Sequence, residues 1–220
     1  MWSEGSREHQ LATAIAAACR RLHARGLLAG SEGNLSLRFD AETVLVSASA
    51  VDKATMEAAH VVRVSHDGQV VQGGPGLRAS SEFGMHRALY AARPGVMAVV
   101  HAHPPVATGF AAAGQELPAN VLPEVPVVVG RIAAVPYGRP GTAALAAAMA
   151  PFVAEHDVFL LANHGVTVVG YSLEDAILRM ESTEQAARIV LAARLLGGAQ
   201  PLPPEEVTAL ASYRRSSELL

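Results

Sequence analysis

Lysine is nearly missing from this 220-residue chain: of 17 lysine-plus-arginine cations, only Lys53 is a lysine. Against 20 acidic residues the net charge comes to −3. With an isoelectric point near 6.3, this excludes a general attraction to nucleic acid or to an anionic membrane. Cysteine is reduced to Cys19, which excludes a disulfide framework within the chain. Apolar runs are cut short by histidine, arginine, glycine and proline, and "MWSEGSREHQ" has no basic-then-apolar leader pattern. A cytoplasmic protein that acts on a small molecule, with no nucleic acid or membrane partner, is expected. Neither a repeat nor a low-complexity linker divides the chain. Residues 1–220 are therefore expected to form one domain, with 201–220 as a peripheral C-terminal helix and tail.

What is present is material for a core, since 50% of the residues are hydrophobic. Leu11, Ala14, Ile15, Ala18, Cys19 and Leu22 recur at three/four spacing and predict a first helix that Gly26 closes. "SEGNLSLRF" reads as a loop entering a strand, and "TVLVSA" as a second strand. "HVVRVSHDGQVVQG" reads as a hairpin turning at Asp67–Gly68. Ser80 or Ser81 is placed to cap a helix running to about Ala92, with Glu82 in its first turn. "VMAVVH" is a buried strand, "VATGFAAAG" a short helix, and "EVPVVVGRIAAVPY" strand-like but interrupted by prolines. A further helix starts near Thr142, and "VFLLANHGVTVVG" predicts strand, tight turn, strand. Ser172 opens a long helix with Asp175 set for a capping box and a core stripe of Ala176, Met180, Ala187, Leu191 and Leu195. On that helix Glu181 and Glu184, with Arg179 and Arg188 nearby, read as a solvated ion-pair face. The mixture of hairpins and helices predicts an α/β fold whose central sheet is mixed and largely antiparallel.

Two histidines one residue apart, His101 and His103, end the buried strand "VVHAH". Alternation along a strand would put both on one face, which suits two metal ligands but equally two solvated rings at a strand end. A third, His164, sits in a tight turn after another apolar strand, and three imidazoles with an open position make a catalytic type of metal site. Glu82 is the candidate acid–base carboxylate, although a first-turn glutamate also suits the helix dipole alone. His86, one turn further on, supports it. "SEGNLS" offers Ser31, Gly33 and Asn34 as a donor-rich anion loop, and "VSASAVDK" offers Ser47 and Ser49 in a similar role. Ser80 and Ser81 form a further anion corner at a helix start.

In order and spacing, "GNLS", "VSASAVDK", "SSEFGMHRALYAARPGVMAVVHAHP" and "LLANHGVTVVG" resemble the class II aldolase/adducin family. Its enzyme members include L-fuculose-1-phosphate aldolase and L-ribulose-5-phosphate 4-epimerase. The resemblance implies a three-layer α/β/α sandwich and a homotetramer with active sites at subunit interfaces. It implies Zn²⁺, with Mn²⁺, Co²⁺ or Fe²⁺ as alternatives, held by His101, His103 and His164, and Glu82 as the catalytic acid–base group. It implies substrate-phosphate binding by Ser31, Gly33, Asn34, Ser49, Ala50, Ser80 and Ser81. The reaction expected is a metal-dependent retro-aldol cleavage of a small sugar phosphate or related hydroxy-carbonyl compound through an enediolate. Epimerase, dehydratase, decarboxylase or oxygenase chemistry on the same fold is the alternative, and a non-catalytic adducin-type scaffold the remote one.

Three departures stand out. Ala50 replaces a family glycine, and a left-handed backbone there is costly for a residue with a Cβ. Glu32 sets a negative charge beside a loop meant for an anion. The family's downstream tyrosine is missing from "LPANVLPEVPVVVG", which leaves Glu124, or Tyr213 near the C-terminus, as the possible proton donor.

Overall fold

The structure, a computed structural model, describes residues 2–216, and their side chains as far as Tyr213. Residues 217–220 of the expected C-terminal tail lie outside the described residues. Eight strands form one sheet: β1 (Asn34–Arg38), β2 (Thr43–Ser47), β3 (Val61–Ser65), β4 (Val70–Gln72), β5 (Ala98–Ala102), β6 (Ile132–Val135), β7 (Val158–Leu161) and β8 (Gly165–Gly170). Their order is β4-β3-β2-β1-β5-β8-β7-β6. Every pairing is antiparallel except β6 with β7.

Both faces are covered, which is why the central strands read as unbroken apolar runs rather than as alternating ones. Helices α1 (Arg7–Ala24), α3 (Pro105–Ala112) and α5 (Leu173–Leu195) cover one face, over Leu35, Leu45, Val100, Leu160 and Val168. Helices α2 (Phe83–Ala92) and α4 (Ala143–Met149) cover the other, over Val44, Val46, Val99, Phe159 and Val169. This is the expected α/β/α sandwich.

Several local expectations are corrected. "EVPVVVG" is not a strand: Val125–Val129 form a π-helical turn, and only Ile132–Val135 join the sheet. Pro126 has no N–H for a ladder. Gly130 N–H instead closes the turn on the Val125 carbonyl at 2.8 Å, and the buried Arg179 guanidinium donates to the Val128 and Val129 carbonyls. Leu191 and Leu195 are 42% and 81% exposed, and the buried stripe of α5 ends at Val190. Glu184 is not solvated. It is buried, and its carboxylate accepts from Val106 N–H and Ala107 N–H, the free donors at the start of α3. Ser172 caps α5 as expected, but Asp175 accepts from Tyr171 N–H, one residue ahead of a capping box. The last helix, α6 (Pro204–Ser216), packs on the π-helical turn.

Candidate metal centre

Strand register places the first groups. In β5, Val100 and Ala102 face the α1/α3/α5 layer, so His101 faces α2. Its direct neighbours across the ladders are Asn34 on β1 and Thr167 on β8. His101 is fully buried, and its Nδ1 lies 3.1 Å from both the Val166 carbonyl and Thr167 Oγ1. A carbonyl only accepts, so Nδ1 carries the proton and the Nε2 lone pair faces the site.

His103 arrives differently from the strand alternation expected. β5 ends at Ala102, and His103 lies beyond it, where its N–H donates to the Leu27 carbonyl at 3.2 Å. His164 sits in the β7–β8 turn, opened by Asn163 in the left-handed region at φ 55°. Two glycines let these segments close up. A Cβ on Gly33 would stand 2.6 Å from the His101 carbonyl, and one on Gly165 would stand 2.5 Å from His103 Cδ2. Neither position tolerates a side chain.

The outcome is three imidazoles whose candidate ligand atoms all lie within 4.8 Å of one another. The Nε2 atoms of His101 and His103 are 3.2 Å apart. Nitrogens bound to one tetrahedral zinc stand about 3.3 Å apart. With protons on both Nδ1 atoms, two lone pairs would face each other across that gap, an arrangement that a cation relieves. The residues fit a divalent metal.

Glu82 completes the cluster, with Oε2 at 3.3 Å from His101 Nε2 and Oε1 at 3.1 Å from His164 Nε2. It is the N-cap residue of α2 rather than a first-turn residue, and the helix starts at Phe83. Neither serine caps that helix; the Ser80 hydroxyl accepts from Glu82 N–H at 3.2 Å. Burial works to raise the Glu82 pKa, but contact with His164, the neighbouring His101 and the Asn34 amide outweigh it and hold the carboxyl ionised. For His101 burial dominates against the pull of Glu82, bringing its pKa to about 3, so the ring is neutral at pH 7.

The expected substrate segments come together, though not all in their expected roles. Ala48 bridges Ala79, Ser49 N–H donates to the Arg78 carbonyl, and Lys53 Nζ donates to the carbonyls of Ser31 and Val51. The chain's sole lysine is thus buried as the clamp between two loops, a role invisible in its local sequence. Ala50 does adopt the left-handed backbone, at φ 59°. Ser47 is not available to an anion: it is buried and accepts from Leu35 N–H. Asn34 is also engaged, donating to Glu82 Oε2 at 3.0 Å. Ser80 and Ser81 line a cavity of about 450 Å³ with Arg78 and Arg87, two cations that the sequence reading passed over.

His86 does not reach Glu82 by a hydrogen bond. It is buried, with Nδ1 2.6 Å from the Ser36 hydroxyl, which in turn lies 2.8 Å from Tyr90 OH. Glu32 is not aimed at an anion: its Oε2 lies 3.0 Å from His103 Nδ1. Glu124 is exposed at the head of the π-helical turn, and Tyr213 is 61% exposed on α6. Within the chain neither side chain is gathered into the histidine cluster. No helix among the described residues is long and apolar enough to cross a membrane.

Comparison with known proteins identifies the family of the chain. The family described as Class II Aldolase and Adducin N-terminal domain matches residues 13–191. The 3-oxo-tetronate 4-phosphate decarboxylase of Pectobacterium atrosepticum is 34% identical over 170 residues, covering 76% of this chain and 77% of that protein. The 5-deoxy-D-ribulose 1-phosphate aldolase of Bacillus thuringiensis is 32% identical, covering 90% and 92%. A solved L-fuculose 1-phosphate aldolase superposes with a TM-score of 0.85 at 28% identity, covering 98% of each chain. The chain belongs to the class II aldolase and adducin N-terminal domain family.

Proposed function

We propose that the protein is a divalent-metal-dependent lyase that breaks a carbon–carbon bond next to a carbonyl, most simply by retro-aldol cleavage of a small hydroxy-carbonyl compound or sugar phosphate. The observation that carries this reading is the convergence of three imidazoles, with His101 and His103 Nε2 at 3.2 Å and the ionised, partly buried Glu82 carboxylate against His101 and His164. His101, His103 and His164 would hold the ion, Zn²⁺ first and Mn²⁺, Co²⁺ or Fe²⁺ as alternatives. When bound, it supplies Lewis-acid stabilisation of the negative charge that an enediolate carries.

The chain's own residues supply the rest. Glu82, ionised and anchored by Asn34, is positioned to take the proton of a substrate hydroxyl and return one to carbon. The neutral rings of His101 and His86 add no competing charge in the buried layer. Arg78, Arg87, Ser80 and Ser81 border a cavity beside Glu82 along the chain, where the two guanidiniums would offer charge to an acidic substrate tail against the single carboxylate of Asp67.

A second reading, decarboxylation of a 3-oxo acid, is favoured by the missing tyrosine. Loss of CO₂ leaves an enolate that needs a single protonation, which the Glu82 carboxylate can serve by relaying a proton drawn from solvent water to carbon. The resemblance to a decarboxylase points the same way. The reading takes residues 1–220 as one domain and includes a homotetramer with sites at subunit interfaces. Leu195 and Leu196, 81% and 88% exposed at the end of α5, are apolar surface for such an assembly.

The test is metal analysis of the purified protein, combined with two assays: aldehyde release from phosphorylated and free ketoses, and CO₂ release from 3-oxo acids. Turnover that stops on chelation and returns with metal is the expected result. A folded protein that takes up no divalent ion overturns it.

A further inference from the structure

The Nδ1 atoms of the three histidines differ in their surroundings. That of His101 faces the carbonyl of Val166, which the sheet holds in place. That of His164 is buried and has no partner among the described residues. That of His103 lies 3.0 Å from a carboxylate oxygen of Glu32. His103, like His164, lies outside any strand, and with a side chain 26% exposed against 9% for His164 it is the most open of the three rings, so the sheet does not hold its orientation.

Glu32, by contrast, belongs to a tightly tied loop. Its own N–H donates to the Ala29 carbonyl at 2.9 Å, Lys53 N–H donates to Gly30, and Lys53 Nζ donates to Ser31. Gly33, at φ +68°, then turns the chain against the His101 carbonyl. The carboxylate is presented from a backbone that cannot easily withdraw.

We infer that Glu32 is a positioning residue for the metal centre: it accepts the Nδ1 proton of His103, holds that ring in the Nδ1–H tautomer and so keeps Nε2 directed at the ion. An acceptor behind a ligating imidazole both orients the ring and raises its basicity. The inference rests on the metal-lyase reading above, and it gives a role to the carboxylate that the sequence sets, against expectation, beside a loop meant for an anion.

The experiment compares the parent with Glu32→Ala and Glu32→Gln. Zinc affinity is measured by competition with a chromophoric chelator, and the His103 tautomer by ¹⁵N correlation spectroscopy of metal-free protein at pH 8. Glu32→Ala should bind zinc about tenfold to a hundredfold more weakly and populate both tautomers of His103. Its metal-free melting temperature should match the parent's, since the Glu32 side chain is 55% exposed. Glu32→Gln, which retains an acceptor oxygen, should recover part of the affinity. Unchanged zinc affinity in Glu32→Ala, beside a parent that binds zinc, overturns this assignment and leaves the lyase reading standing. A parent that binds no zinc overturns both.

Discussion

The side-chain amide of Asn34 donates to Oε2 of Glu82 at 3.0 Å, across the gap between β1 and the head of α2. The resemblance assigns Asn34 to substrate phosphate, yet here its donor is committed to the proposed acid–base group. Asn34→Ala should therefore lower kcat by about ten- to a hundredfold, the worth of a hydrogen bond to a charged group, with KM nearly unchanged. Steady-state kinetics checks this. A rise in KM with kcat intact would restore Asn34 to the substrate.

Lys53 should behave as a structural clamp. Its Nζ is buried against the Ser31 and Val51 carbonyls, and burial lowers its pKa. Lys53→Met removes the donor from two carbonyls and should cost about 1–3 kcal/mol in urea unfolding. With no other lysine in the chain, an amine-directed label on the native protein should stop at one adduct, the N-terminus. A second fast adduct would mean that the two loops open readily.

Acid should weaken the metal-free fold in two adjoining windows. Burial lowers the pKa of His86 from 6.5 to about 4 and that of His101 to about 3. Above pH 6.5 neither state is protonated. As the pH falls from 6.5 towards 4, the unfolded chain takes protons that the folded chain refuses, so stability falls, by about 3 kcal/mol for His86 alone. Glu82, held below its usual range, contributes stability above its unfolded value of 4.5 that is lost as the pH falls further. Urea midpoints measured from pH 7 to pH 3.5 read the slope. A flat profile between 6.5 and 4 refutes the burial of these rings as neutral groups.

Cys19 should be silent. It is fully buried on α1, and burial pushes its thiol up to about 12. A disulfide reagent at pH 8 should label it only as fast as the protein unfolds. Rapid stoichiometric reaction of the native protein would place α1 off the sheet.

Much of the fold was legible because local and global signals agree. The Ile15–Cys19–Leu22 face of α1 and the Asp67–Gly68 hairpin each carry a pattern that packing has no reason to override. Misreadings occurred where a distant partner decides. "EVPVVVG" has strand composition, but Arg179, some fifty residues away, takes its carbonyls. Glu184 makes the expected ion pair with Arg188 at 2.8 Å, but it is buried rather than solvated because the unpaired N–H groups of α3 also claim its carboxylate. No local pattern carries such information.

The same division runs through the candidate site. By itself the sequence determined which groups are available: three histidines near strand ends, one glutamate at a helix start, and small donor-rich residues in the loop before β1. Residue type and short-range spacing settle that much, because they set which atoms can ligate and which way a strand presents them. Only the tertiary structure decided what each polar neighbour does. Asn34 turns to Glu82, Glu32 to His103, Lys53 to two loop carbonyls and Thr167 to His101. The physical reason is that a buried donor or acceptor must find its partner in space, and the sheet order sets β1, β5 and β8 side by side from distant parts of the chain.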